Sequence, residues 1–145
     1  MLLSGFLYAI AAGIAMSVQG VFNTRLSEKI GTWQTNVFVQ GTAFFFAVII
    51  LLLSKEGNFT NIKSVNKLYL SGGILAVIIT YTVMKGMINI GVTPAVSTIL
   101  IAQLLAAALI DGCGFFDTTC IKFSFTKILG TVVMIAGILI FKYKG

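Results

Sequence analysis

Residue types on which soluble enzymes depend are scarce in this sequence. It contains no histidine, and only 4 of its 145 residues are acidic. Histidine-based catalytic triads and most zinc sites therefore lack their essential groups. Charged residues of both signs amount to 10% of the chain, whereas soluble domains carry about 25%. We therefore expect no enzyme, no metal site and no cofactor.

Hydrophobic residues take the place of the missing charge. They make up 58% of the chain, and the mean hydropathy is +1.04. No soluble fold of this size could bury several uncharged runs that are each long enough to cross a bilayer. The net charge of +6 does not indicate nucleic acid, because the basic residues lie between or at the ends of these runs, where they anchor to lipid headgroups.

The charged residues divide the chain into spans, because each ionised side chain at the bilayer centre costs at least about 2.5 kcal/mol. The pattern predicts an all-α membrane protein, a single transmembrane domain over 1–145, with about five helices at residues 2–23, 31–54, 68–90, 94–111 and 123–142. The fifth run is short and needs Lys127 to extend its stem toward the headgroups. Gly91 is expected to end the third helix and Pro94 to begin the fourth.

The basic residues are balanced between the two sides of the membrane, although they normally concentrate in cytoplasmic loops. With five helices, the side of the N-terminus holds Lys55, Lys63, Lys67, Lys122 and Lys127. The other side holds Arg25, Lys29, Lys85, Lys142 and Lys144. This balance predicts dual topology, in which copies insert both ways and pair as an antiparallel homodimer with the inverted-repeat architecture of alternating access. The alternatives are a single orientation, or pairing with an oppositely oriented homologous subunit.

Polar residues within the spans are the candidates for solute binding, because the loops are short and a polar group in lipid needs a partner. Gln19 and Asn23 lie four residues apart on one face of helix one. Asn36 and Gln40 repeat this spacing in the more polar entry half of helix two. The amides of helix one could bind a polar solute or could join neighbouring helices by hydrogen bonds. For Asn36 and Gln40, solvation at the membrane interface is the alternative to solute contact.

Helices three and four supply further candidates. Gln103 lies near the expected midplane of helix four, which also carries Ser97. It is the first candidate for a solute contact, with a packing hydrogen bond as the alternative. Asp111, at the end of this helix, could exchange protons or coordinate a cation, although headgroup-level solvation also explains an acid there. Lys85 could pair with Asp111, contact an anion or extend to the interface. Tyr81, one turn before Lys85, could add stacking or a hydroxyl group.

Small residues form stripes that allow a second helix to approach closely. In helix one they recur at every fourth position, at Gly5, Ala9, Gly13 and Ser17. In helices four and five the corresponding pairs are Ala102 with Ala106 and Gly130 with Gly137. We therefore expect helices four and five to form the dimer contact.

Several residues in a specific order carry a family resemblance. They are Gln19-Gly20-Val21-Phe22-Asn23-Thr24-Arg25-Leu26, Gly31, Phe38, Gly41, Gly72-Gly73, Gly91-Val92, Gln103, Asp111, Gly114, Gly130 and Gly137. Over nearly its whole length the chain resembles the YdcZ-type family of the drug/metabolite transporter superfamily. That family typically has Gly before this glutamine and His after this aspartate. This chain has Ala102 and Gly112 there, so roles of those two positions do not carry over.

The resemblance implies a bacterial inner-membrane protein with five helices per chain, half of the ten-helix transporters of the superfamily, and a dimer as the working unit. It does not supply a substrate. Small multidrug exporters carry a membrane-embedded glutamate in helix one, which this chain lacks. We predict a transporter of small polar or zwitterionic metabolites, with the lipid bilayer and a second copy as partners. A passive dual-topology channel and a non-transporting accessory subunit are the alternatives.

Overall fold

A computed structural model describes residues 2–54, 57–118 and 125–143. Its helices are α1 (Leu2–Ile30), α2 (Thr32–Ser54), α3 (Gly72–Ile90), α4 (Val92–Cys113) and α5 (Phe125–Tyr143). Short 3₁₀ segments lie at Phe59–Ser64, Lys67–Ser71 and Phe115–Asp117. Over the described ranges all regular structure is helical, which confirms the predicted all-α class.

Four of the helical segments are long and apolar enough to cross a membrane: Leu2–Ile30, Thr32–Ser54, Lys67–Ile90 and Val92–Cys113. In α5 the apolar stretch is shorter, Ile128–Ile140, and at 1.5 Å per residue it covers about 20 Å of a hydrocarbon core about 30 Å thick. The predicted start of this span, at residue 123, lies outside the described residues. A fifth crossing therefore stays a prediction.

The helix ends show how charge and helix length are related. The sequence predicts that helix one stops near residue 23, but α1 continues to Ile30. Arg25 and Glu28 lie in this extension and form an exposed ion pair at 3.2 Å. A charged residue marks the point where a helix leaves the hydrocarbon, and the helix itself can continue into the headgroup region because its backbone bonds are internal.

Glycines with positive φ angles separate neighbouring helices. Gly31 (φ +96°) stands between α1 and α2, and Gly91 (φ +85°) ends α3 as the sequence predicts. Side chains other than glycine rarely adopt these angles. α4 begins at Val92, two residues before the predicted Pro94, which then occupies the first turn, where a missing N–H costs no helical hydrogen bond.

The chain divides into two compact units, Met1–Asn89 and Ile90–Gly145. The first unit contains α1, α2 and α3 except its last residue, and α1 and α2 are in close contact there. The second unit contains α4 and α5, which also contact each other.

The interior of the first unit is mainly polar, whereas its surface is apolar. The buried residues include Met84 and Met87 and a larger polar set, Asn23, Thr24, Ser27, Thr35 and Asn36. Large apolar side chains such as Leu3, Phe44 and Leu52 are more than 70% exposed. This arrangement is typical of a chain whose solvent is hydrocarbon, because exposed apolar groups cost nothing there and polar groups seek partners inside.

Candidate functional site

Gly20 of α1 lies against two side chains of α3. A Cβ atom added at Gly20 would lie 2.6 Å from Cε of Met87 and 3.4 Å from Cγ1 of Val83. One turn later the Thr24 hydroxyl donates to the Gly20 carbonyl at 2.8 Å and lies 3.5 Å from the Met87 sulfur. Glycine therefore allows α3 to pack closely against α1 at this point.

Asn36 of α2 is the most unusual polar residue in the described chain. It is 2% exposed, and its Nδ2 atom donates to the backbone carbonyl of Val77 in α3 at 2.8 Å. Its Oδ1 atom is buried and accepts no hydrogen bond from any residue that the structure describes. The orientation of the amide follows from chemistry, because a carbonyl oxygen only accepts and Nδ2 must face it. A buried acceptor without a partner costs about 1–3 kcal/mol.

Gln40, one turn after Asn36, also contacts α3. Its Nε2 atom lies 3.2 Å from the Thr80 hydroxyl oxygen, and its side chain is half-buried. Both Val77 and Thr80 lie in the central part of the apolar span Lys67–Ile90. The pair of amides predicted on α2 therefore faces one neighbouring helix, at polar atoms well inside the span.

An aromatic contact continues the same face of α2. Trp33 stacks on Tyr81 with ring centroids 4.6 Å apart and an interplanar angle of 25°. The Lys85 ammonium lies 6.0 Å from the centre of the Tyr81 ring, at the outer limit of a cation–π contact. We call this set the α2–α3 seam, formed by Trp33, Asn36 and Gln40 of α2 with Val77, Thr80, Tyr81 and Lys85 of α3.

The candidates on α1 differ in their surroundings. Asn23 is 8% exposed, whereas Gln19 is exposed. The four-residue spacing places the two side chains on the same side of the helix, but Gln19 falls beyond the edge of the contact between α1 and its neighbours. Neither residue is part of the α2–α3 seam.

The candidates on α4 have no such contacts. Gln103 is exposed and Ser97 is half-buried. The described residues supply neither side chain with a hydrogen-bond partner. Asp111 is half-buried and lies at a groove between α4 and α5 with a volume of about 430 Å³. This α4–α5 groove is lined by Leu104, Ala107, Ala108, Asp111, Gly130, Thr131 and Met134.

Three residues that form the contact between α1 and α3 are not among the predicted site residues: Gly20, Thr24 and Met87. Gly20 and Thr24 have the small-residue spacing that favours close helix packing, so this spacing could have indicated the position. Nothing in the sequence indicates that Met87 is the residue packed against them. Within the described ranges, no group of three or more Cys, Asp or Glu residues could hold a metal ion.

Residues 4–140 match a family described as "Putative inner membrane exporter, YdcZ". The chain belongs to this family. The resemblance predicted from the sequence is therefore confirmed, and so is the location: this YdcZ-type protein is a multi-pass inner-membrane protein with several membrane-spanning helices. In general terms it is a membrane transporter, and the family description is that of an exporter. No curated protein and no solved structure matches the chain.

Proposed function

We propose that this YdcZ-type chain is one half of a dual-topology antiparallel homodimer that moves a small polar solute by alternating access. If α5 also crosses the membrane, the ten basic residues lie five on each side, and this balance supports insertion in both orientations. An antiparallel pair of such chains would have the inverted symmetry on which alternating access depends.

One observation carries the assignment of the solute site: the buried, unpartnered Oδ1 atom of Asn36. The hydrogen bond from Nδ2 to Val77 fixes the amide, so Oδ1 remains available to an N–H or O–H donor. A movement of α2 against α3 that opens the seam gives this oxygen a solute or water as partner. The cost of the unpaired acceptor favours such a movement, and a solute bearing donors is the matching ligand.

The surface of α1 and α2 supports a second copy as the partner. In each of these helices, no residue of the most apolar 18-residue stretch is buried within the chain. Gly5 and Gly13 of the small-residue stripe have no described atom within 4 Å of an added Cβ, and the same is true of Gly137 in α5. These open small-residue surfaces suit close helix contacts between two copies.

The remaining polar residues have proposed places in the dimer. Gln103 is exposed and would line the solute path, together with Ser97. Asp111 and Lys85 are the candidates for coupling the transport to protons or ions, because they are the ionisable groups nearest the ends of α4 and α3.

Transport in liposomes tests the solute site. A ligand-stabilisation screen on the purified protein supplies a solute, and its flux is then measured with wild-type protein, Asn36→Leu and the control Gln34→Leu. Asn36→Leu is expected to reduce flux by about tenfold while changing the free energy of unfolding by less than about 1 kcal/mol, because an apolar side chain removes the bond and the unpaired acceptor together. Gln34 is an exposed amide on the same helix, and its variant is expected to transport normally.

The form of the flux separates a carrier from the alternatives. A carrier saturates and shows trans-stimulation, a channel shows neither, and an accessory subunit gives no flux. Equal flux in the Asn36→Leu variant and the wild type would exclude the seam as the solute site.

The topology has its own test. Reporters fused to the C-terminus are expected to appear on both sides of the membrane, and a few added lysines are expected to shift the ratio. A single orientation that added lysines do not change would rule out the symmetric antiparallel dimer.

A further inference from the structure

The α4–α5 groove has the dimensions and the lining of a small-molecule site. Its volume of about 430 Å³ lies within the range of ligand sites, about 300–1,000 Å³. Its sides are formed by apolar or small residues, among them Leu104, Ala108, Gly130 and Met134. An added Cβ at Gly130 would meet no described atom within 4 Å, so none of the described side chains fills the space beside it.

A single carboxylate, that of Asp111, gives this apolar groove a negative end. Asp111 belongs to the last turn of α4, where the helix macrodipole adds a partial charge of about −0.5. That turn contains no basic residue, and Asp111 forms no ion pair with the side chains that the structure describes. The carboxylate and the helix end both attract positive charge, so the groove favours a cation at this end.

We infer that the α4–α5 groove binds an amphiphilic cation, with an ammonium group at Asp111 and a short apolar tail along Leu104, Ala108 and Met134. A neutral apolar ligand would cover the half-buried carboxylate without compensating its charge. A bare metal ion would find one carboxylate where several oxygen ligands are needed. Only the transport of this ligand rests on the proposed function. Its binding is measured without transport.

Calorimetry on the full chain in maltoside detergent at neutral pH tests the inference with three probes. Benzylammonium has both the charge and the tail, benzyl alcohol has the tail alone, and methylammonium has the charge alone. Benzylammonium is expected to bind at least about tenfold more tightly than either partial probe. Equal affinities for benzylammonium and benzyl alcohol would overturn the inference, because the carboxylate would then contribute nothing.

Variants locate the two halves of the site. Asp111→Asn is expected to weaken benzylammonium binding by at least about tenfold, and Ala108→Leu to weaken it by filling the groove while the carboxylate remains. Glu28→Gln is the matched control, because Glu28 is an exposed carboxylate paired with Arg25 on α1. An equal loss in Glu28→Gln would overturn the site, since any carboxylate would then suffice. If Asp111→Asn does not fold, Ala108→Leu and the three probes decide the question.

Competition with lipid identifies the source of the ammonium group. Phosphatidylethanolamine carries the same group, and the inferred ligand is a soluble amine. Benzylammonium binding is expected to persist when this lipid is added in excess, and its complete loss would assign the groove to lipid and overturn the inference. None of these measurements depends on flux or topology, so the inference and the proposed function fail separately.

Discussion

In the first unit Asn36 is buried and donates a hydrogen bond to Val77 of a neighbouring helix, whereas in the second unit Gln103 is exposed on α4. Both are amides in apolar spans, yet their surroundings differ. In the first unit, α1, α2 and α3 bring polar atoms together in its interior. The second unit presents its amide outward and keeps one carboxylate, Asp111, at a groove. The first unit therefore has a polar interior of its own, while the second exposes Gln103 and holds Asp111 half-buried at its groove.

The largest effect on this comparison is expected at Gly20, where α1 faces side chains of α3. Gly20→Leu is expected to lower the free energy of unfolding by about 1–3 kcal/mol, because the new side chain overlaps Met87 and Val83. Titration with a denaturing detergent measures the change.

Gly13→Leu is the matched control for this substitution. It makes the same exchange on the same helix, but within the single chain Gly13 has open space around it. Both variants are therefore compared as monomers in detergent. Both variants gain the same helix propensity, about 0.8 kcal/mol, so the difference between them reports packing. Equal stabilities would contradict the close approach of α1 and α3.

A smaller effect is expected from the hydrogen bond between Gln40 and Thr80. A double-mutant cycle with Gln40→Leu, Thr80→Val and the combination is expected to give a coupling energy of about 0.6 kcal/mol, the average for hydrogen bonds between membrane helices. Detergent titration measures the four free energies of unfolding. A coupling energy of zero within error would mean that the two side chains do not interact.

The smallest effect is expected in the second unit. Gln103→Leu is expected to change the free energy of unfolding of the isolated chain by less than about 0.5 kcal/mol, because the described residues give this side chain no hydrogen-bond partner. The same detergent titration measures it. A loss above about 1 kcal/mol would place Gln103 in a contact within the chain and remove the difference between the units.

Much of the fold follows from the sequence, because charge is costly in lipid and uncharged runs have a length that matches the bilayer. The positions of α2, α3 and α4 agree with the predicted spans to within a few residues. The end of α1 does not, since charged residues mark the end of the hydrocarbon and not the end of the helix. In the site, the four-residue spacing of Asn36 and Gln40 predicted that both face one way. The same spacing at Gln19 and Asn23 gave one exposed and one buried side chain, because spacing alone does not define the edge of a helix contact.

The sequence by itself determined the solvent, the helical class and the family of this protein. Its lack of charge left only lipid as the surroundings of the spans, and in lipid a backbone satisfies its hydrogen bonds as a helix or a closed barrel. Only the tertiary structure decided which polar atoms meet. Asn36 and Val77 are 41 residues apart, and their contact depends on the rotation and distance of two helices. Local periodicity does not encode these quantities, because they are set by contacts such as that of the Met87 side chain with the backbone at Gly20.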